Sequence, residues 1–324
     1  MKAVVCKRFG PPEDLVVEDI SVPVPATGEL LIEVKAAAVN FPDTLMLTNS
    51  YQFTPPLPYV PGSEGAGVVV AVGDGVTGWS IGDRVVGGLG MGGAYAEQMV
   101  IPAATAQRLP DEMPFEVATG LNYAYGTTLY GLRYRGELQP GETLLVTGAA
   151  GAVGLSAIEI GKLMGARVIA AASSDDKLAL CRQRGADETI NYSTENLKTR
   201  AKELTDGGGL DVVYDCVGGD TAEQALRAIG WEGRFLVIGF TAGIPSMPLN
   251  LALLKSCQII GVFYGAMTMR QPHLHAEINT QLMEWATTGD LSPYVSQTFP
   301  LDQASTALRL LIDRKAAGKL VITP

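Results

Sequence analysis

The chain has 324 residues, room for about two domains, and its 47% hydrophobic and 18% charged content is that of a globular protein rather than a disordered one. Its formal charge of −10 argues against nucleic acid as the main partner, which needs a basic surface. Cys6, Cys181, Cys216 and Cys257 stand far apart without a C-x-x-C pair, so neither a disulfide framework nor a cysteine-rich zinc site is expected.

The first residues include Lys2, Lys7, Arg8, Glu13 and Asp14, which leaves no secretory apolar stretch there. No apolar run approaches the length of a membrane span, and a cytoplasmic location with reduced thiols is expected. Residues 30–37 set Ile32, Val34 and Ala36 on one face against Glu33 and Lys35 on the other, a half-buried strand. Residues 67–72 form a second strand, closed by Gly73-Asp74-Gly75, and Gly78, Gly82 and Asp83 punctuate the next stretch before Arg84-Val85-Val86. The N-terminal third is a compact β domain.

Beyond residue 120 the texture becomes strand, helix, strand, helix. Strands are expected at 143–147, 167–172, 211–217, 234–240 and 258–264, with helices at 153–164, 175–184, 195–204 and 221–229. Such alternation implies a parallel sheet covered on both faces. Gly165 and Gly185 fall where helices end. From about residue 267, helices at 274–287 and 301–314 precede a short strand at 319–322. A return of that strand to the first domain makes the domain discontinuous.

The central signal is Leu144-Leu145-Val146-Thr147-Gly148-Ala149-Ala150-Gly151-Ala152-Val153-Gly154, an apolar strand running through spaced glycines into a helix. Gly148 permits the tight turn, Gly151 lets the backbone approach a pyrophosphate, and Gly154 lets the helix pack on the sheet. The first helical turn, Ala152, Val153 and Gly154, offers N–H donors and the positive end of the dipole. The second strand ends Ala172-Ser173-Ser174, without the carboxylate that binds NAD ribose hydroxyls, and Lys177 lies just beyond. Small hydroxyls and a cation favour the 2′-phosphate of NADPH. The plainer alternative is that Ser173 and Ser174 cap the helix and Lys177 is a solvated charge. Asp175 and Asp176, at the helix start, are expected to face solvent.

These residues resemble the zinc-free quinone oxidoreductase (zeta-crystallin-like) family of the medium-chain dehydrogenase/reductase superfamily, over essentially the whole chain. The resemblance rests on Val39-Asn40-Phe41-Pro42-Asp43, Pro61-Gly62-Ser63-Glu64-Gly65-Ala66-Gly67, Gly82-Asp83-Arg84-Val85, the glycine loop, Gly185-Ala186-Asp187, Asp211-Val212-Val213-Tyr214-Asp215 and Gly218-Gly219. It implies an α/β architecture: a Rossmann doubly wound parallel sheet at 121–266 plus a GroES-like β-rich catalytic domain at 1–120 and 267–324. Zinc relatives use a cysteine near the Asn40 region and a Gly-His-Glu histidine; here Ser63 follows Gly62 and no cysteine lies near Asn40. The two histidines, His273 and His275, sit late in the chain at what reads as an exposed helix start, and no metal site is expected.

The resemblance further implies cofactor contacts. Lys177 and Tyr192 match residues at the 2′-phosphate, with Ser173 nearby. Thr127 matches a residue near the nicotinamide phosphate and ribose. Val217, Phe240 and Thr241, and Phe263, Tyr264 and Gly265, match segments lining the nicotinamide pocket, while Lys319 matches a C-terminal position near the cofactor. The aromatic residues have an alternative reading as core.

Hydride transfer without a metal needs an electrophilic acceptor, so quinones and α,β-unsaturated carbonyls qualify. The anion that forms on the acceptor oxygen needs a donor. Asn40 and Tyr51 are the catalytic candidates, Asn40 also orienting substrate or ribose; Asp43 is expected to support local structure. Leu45 stands where relatives can carry tyrosine, which makes the pocket more apolar. The expected activity is NADPH-dependent quinone reduction. Its alternatives are reduction of activated C=C bonds in alkenals, enones or acrylyl thioesters, with Arg133, Arg135 and Arg270 available to a coenzyme A group, and a non-enzymatic NADPH-binding structural or RNA-associated role. A homodimer joined along residues 258–264 is expected.

Overall fold

The computed structural model describes residues 1–88 and 92–324. Contacts divide it into two units, Met1–Tyr123 with Ser292–Pro324, and Ala124–Leu291.

The first unit begins with the hairpin β1 (Lys2–Val5) and β2 (Val16–Asp19). Its main sheet uses β3 (Glu29–Val39), β4 (Glu64–Val72), β5 (Arg84–Gly88), β6 (Gln98–Pro102) and β7 (Gln107–Arg108), with α1 (Phe41–Leu47) after β3 and α2 (Phe115–Ala118) near the boundary. Lys35 is exposed between buried Val34 and Ala36, as alternation dictates. The half-buried strand expected at 30–37 is nevertheless buried at both ends, since Leu31, Ala37, Ala38 and Val39 are also covered. This strand lies inside its sheet and packs into a core with Val4, Val69, Val85 and Tyr95.

The second unit runs from α3 (Gly126–Leu129) through β8 (Thr143–Thr147), α4 (Ala152–Leu163), β9 (Arg167–Ala172), α5 (Asp175–Gln183), β10 (Glu188–Asn191), α6 (Leu197–Leu204), β11 (Leu210–Asp215), α7 (Gly219–Ala228), β12 (Ile229–Val237), α8 (Asn250–Lys255) and β13 (Gln258–Gly261) to α9 (Tyr264–Arg270) and α10 (Pro272–Thr288). All six strands are parallel in the order β10-β9-β8-β11-β12-β13. The order reverses between β8 and β11, and ligands bind such sheets outside the strand C-termini at that switch point. β10 was not foreseen: its Glu-Thr-Ile-Asn offers one buried apolar residue, Ile190, too little for a pattern.

The chain then returns to the first unit as β14 (Val295–Pro300), α11 (Ala304–Ile312) and β15 (Lys319–Thr323). β15 pairs parallel with β14 and antiparallel with β3, so the expected final strand does rejoin the N-terminal sheet. The return falls at 292 rather than 267, because α9 and α10 pack on one another and α10 packs on α3 in the second unit. The strands expected to reach 240 and 264 stop at Val237 and Gly261. Tyr264 instead opens α9, its ring packed onto Gly126, where an added Cβ would lie 2.3 Å from the tyrosine oxygen.

Candidate active site

In the second unit, the loop after β8 gives each of its glycines a separate physical duty. Gly148 has φ +60°, a left-handed conformation that favours glycine. A Cβ on Gly154 would fall 2.4 Å from the Gly148 oxygen and 2.6 Å from Ala149 Cα, so the start of α4 lies directly on the turn. Gly151 differs: its backbone is ordinary (φ −75°, ψ 167°), and a Cβ there would meet only the Gly148 oxygen at 3.5 Å. The space above Gly151 is therefore open, a cradle that a side chain would fill. No side chain caps α4, which leaves the N–H groups of Ala152, Val153 and Gly154 aimed past the helix end.

The loop after β11 lies beside it, the Gly148 Cβ position being 3.0 Å from Val217 Cγ2. Asp215 organises that loop. Its carboxylate accepts the Thr147 hydroxyl and the Val217 and Gly218 N–H groups at 3.2 and 3.1 Å, which ties the ends of β8 and β11 together. Burial pushes this carboxyl up, against those three hydrogen bonds. Thr241 donates its hydroxyl to the Cys216 carbonyl at 3.3 Å, and Ala242 N–H donates to Val217 O at 2.7 Å.

At the end of β9, Ser173 is half-buried and its carbonyl accepts the Ser193 hydroxyl at 2.9 Å. Ser174 caps α5, accepting the Lys177 N–H at 3.5 Å. The capping alternative thus describes Ser174, and Ser173 is the hydroxyl left at the strand end. Asp175 accepts the Asn191 side-chain N–H at 2.8 Å, and Asp176 is exposed. Lys177 and Tyr192 are half-buried, Tyr192 coming after β10 with its N–H bound to Ala172 O at 3.2 Å. Burial pulls the Lys177 ammonium down.

Several predicted positions stand apart from these loops. Thr127 is buried in α3; its neighbour Thr128 makes the bonds, to Ser156 at 2.6 Å and Tyr214 at 2.9 Å. Phe240 does lie beside the β11 loop, its Cδ1 3.2 Å from a Cβ placed on Gly218, and at 40% exposed it, like Phe263 at 45%, is too open for ordinary core. Tyr264 is buried against Gly126, Tyr130 and His275, and Gly265 lies inside α9. His275 is not at an exposed helix start: it is buried, its Nε2 lies 2.9 Å from Asn279 Nδ2, and burial pulls it down toward the neutral form.

In the first unit a buried polar cluster forms where β3, β4 and β15 meet. Leu320 pairs with Val39, so the antiparallel register sets Lys319 beside Asn40, and Lys319 Nζ donates to Asn40 Oδ1 at 2.7 Å. Asn40 ends β3 and precedes α1, and its N–H donates to Asp43 at 2.8 Å. Asp43 also accepts the Tyr95 hydroxyl at 3.0 Å and the Ser63 hydroxyl at 3.1 Å. Despite these partners, complete burial pushes Asp43 up to about 6. Gly62 makes room for this arrangement, since a Cβ there would strike the Tyr95 ring at 2.4 Å.

Glu64 is fully buried, and one of its oxygens accepts the Asn122 and Tyr123 N–H groups at 3.1 and 3.3 Å. Burial raises its carboxyl while Lys319 pulls it back. Burial lowers Lys319, and Glu64 and Asp43 oppose that. Tyr51 is half-buried after α1, its ring 6.1 Å from Phe53. Sequence reasoning missed Glu64, Tyr95 and Tyr123 as parts of this cluster. The Pro61–Glu64 motif carried a signal for Glu64; nothing local marked the tyrosines.

The residues at 26–111 match the family model for the alcohol dehydrogenase GroES-like domain, and those at 152–282 the model for zinc-binding dehydrogenase. The chain is 41% identical over 99% of its length to a quinone oxidoreductase-like protein 2 homolog from Nematostella vectensis, covering 88% of that protein. It is 36% identical to a quinone oxidoreductase of Pseudomonas aeruginosa, over 100% of this chain and 99% of that one. Among solved structures, the Escherichia coli quinone oxidoreductase complexed with NADPH superposes with a TM-score of 0.91 at 31% identity, covering 100% of both chains. The CurK enoyl reductase gives 0.89 at 26%, over 99% of this chain and 98% of that chain.

Proposed function

The chain belongs to the quinone oxidoreductase family of the medium-chain dehydrogenase/reductase superfamily, and from that premise we propose that it is an NADPH-dependent, zinc-independent reductase of quinones. The observation that carries the reading is the glycine loop at the sheet's switch point, with open space over Gly151 and an uncapped helix start behind it. The first-turn N–H groups of α4 hold the pyrophosphate. Lys177, Ser173 and Tyr192 hold the 2′-phosphate, and the neighbouring Asp175 carboxylate is engaged by Asn191. Val217, Thr241, Phe240, Phe263, Tyr264, Gly265 and Thr127 are assigned to the nicotinamide side. For Tyr264, Gly265 and Thr127 that assignment rests on the resemblance alone.

NADPH, when bound, supplies the hydride. The chain's own contribution is a donor and a proton. Asn40 donates its amide N–H to the acceptor oxygen as charge develops there. Tyr51, half-buried after α1, delivers a proton to the product. The donor set does not fit zinc: Ser63 stands where zinc relatives carry the Gly-His-Glu histidine and its hydroxyl donates to Asp43, and in the region where they carry a cysteine Asn40 Oδ1 already accepts an ammonium. We further propose a cytoplasmic homodimer. In its support, no helix among the described residues is long and apolar enough to cross a membrane, and β13 ends its sheet with Ile259 and Phe263 exposed beside that edge.

A second reading, reduction of an activated C=C bond, uses the same donor on an enone carbonyl, and the likeness to an enoyl reductase favours keeping it. Steady-state assays with NADPH and NADH on a quinone, an enone and an acryloyl thioester test both. Quinone turnover with NADPH is expected. Turnover of only the enone or thioester gives the second reading, and NADPH binding without turnover on any acceptor overturns both.

A further inference from the structure

We infer that Lys319 is a positioning residue that locks the orientation of the Asn40 side chain, so that its amide N–H, not its carbonyl, faces the acceptor. This rests on the role proposed for Asn40 and deepens it. An asparagine amide has an acceptor end and a donor end of nearly equal shape, and a free amide can present either. An ammonium has three donors and no acceptor. The atom 2.7 Å from Lys319 Nζ must therefore be the carbonyl oxygen, and Nδ2 is turned the other way. That nitrogen is buried, within a residue only 7% exposed, and has no hydrogen-bond partner in the structure. An unpaired buried donor carries a desolvation penalty, which disappears when a ligand oxygen accepts from it.

The lock is built for permanence. Lys319 is 3% exposed, and its amine end is crowded against Gly120, whose added Cβ would lie 3.2 Å from Cε. Burial pulls the ammonium down, and the charges of Glu64 and Asp43 oppose that pull. Asn40 is held from its other side by the bond from its own N–H to Asp43. The β15–β3 register, fixed by Leu320 opposite Val39, sets the pair side by side across 279 residues of sequence. The resemblance to relatives implies a position near the cofactor for Lys319, and its ammonium is bonded to Asn40.

A double-mutant cycle with Asn40→Ala and Lys319→Met tests the inference, with kcat, KM, NADPH affinity by fluorescence titration and thermal unfolding measured for each protein. Asn40→Ala should lower kcat about 100-fold, as loss of an oxyanion donor does. Lys319→Met should lower kcat at least about tenfold with NADPH affinity unchanged, yet less than about twofold in the Asn40→Ala background, since it acts only through Asn40. Where Lys319→Met strands the buried carboxylate and fails to fold, Glu64→Gln with Lys319→Met replaces it in the cycle. The 15N order parameter of the Asn40 side-chain amide gives a readout independent of turnover: near about 0.85 in the wild type and below about 0.6 without Lys319. Additive losses in kcat, weakened NADPH binding with kcat intact, or an equally rigid amide without Lys319 overturns the proposal. Should the wild-type protein reduce no acceptor, the reductase reading fails, and the amide measurement alone decides whether the lock exists.

Discussion

Gly151 and Gly154 differ by three positions and should fail in opposite ways when changed to alanine. At Gly154 the new methyl would meet backbone at 2.4 and 2.6 Å, contacts that no rotamer change relieves. Overpacking of that kind costs about 1–3 kcal/mol, or roughly 1–4 °C in Tm for a chain of this size. At Gly151 the methyl meets one atom at 3.5 Å on a backbone that alanine adopts freely. There the loss of unfolded-state freedom should stabilise by about 0.4–1 kcal/mol. Ligand binding reverses the ranking. NADPH at 100 times its Kd stabilises the wild type by about 2.7 kcal/mol; a tenfold weaker variant keeps about 1.4 and a hundredfold weaker one about 0.4. Thermal scans of both variants with and without NADPH read these numbers directly. Gly151→Ala should unfold at or above the wild-type temperature and lose most of the NADPH shift, and Gly154→Ala should unfold early without any ligand present. A Gly151→Ala protein that keeps the full shift would refute placing the pyrophosphate over this loop.

The same geometry dictates three further outcomes. Lys177→Ala should weaken NADPH about 10- to 100-fold and leave NADH nearly unchanged, since the lost bond is charge-assisted; equal effects on both cofactors in a titration would remove the lysine from the 2′-phosphate. Tyr51→Phe should lower kcat about 100-fold with KM for NADPH unchanged, and a change in KM alone would make Tyr51 a binding residue rather than a proton donor. Asp43 sets a pH dependence of stability. Its carboxyl is pushed up from 3.8 to about 6, so the folded protein holds a proton that the unfolded chain releases. That contribution is complete below about pH 4 and is lost as pH rises through about 6, a change on the order of 3 kcal/mol. Urea denaturation of wild type and Asp43→Asn across that window should show the wild type losing this much relative to the variant; parallel pH profiles would place the proton elsewhere.

How much of the fold and the site was legible in the sequence depends on how local each cause is. The glycine loop was readable because its requirements act within seven residues: a left-handed turn at Gly148, open space over Gly151 and a packing contact at Gly154. The parallel sheet was readable because β8, β9 and β11 are apolar runs with helices between them. Pattern failed where the deciding partner is distant. Nothing around residue 264 says that Tyr264 will stop a strand and start a helix; the vacancy beside Gly126, 138 positions earlier, decides it. Nothing around Asp175 says that its carboxylate will be held by Asn191; the pairing of β10 with β9 decides it. The cluster in the first unit is the extreme case. Asn40, Glu64 and Lys319 sit at the ends of three strands that the chain visits first, next and last, and only register makes them neighbours. A one-residue slip of β15 would turn Lys319 to the opposite face of its sheet and leave Glu64 and Asp43 buried without their cation. The burial cost of those two carboxylates therefore favours the register that brings Lys319 to Asn40, so the group that orients the proposed donor is also one that helps define the strand pairing.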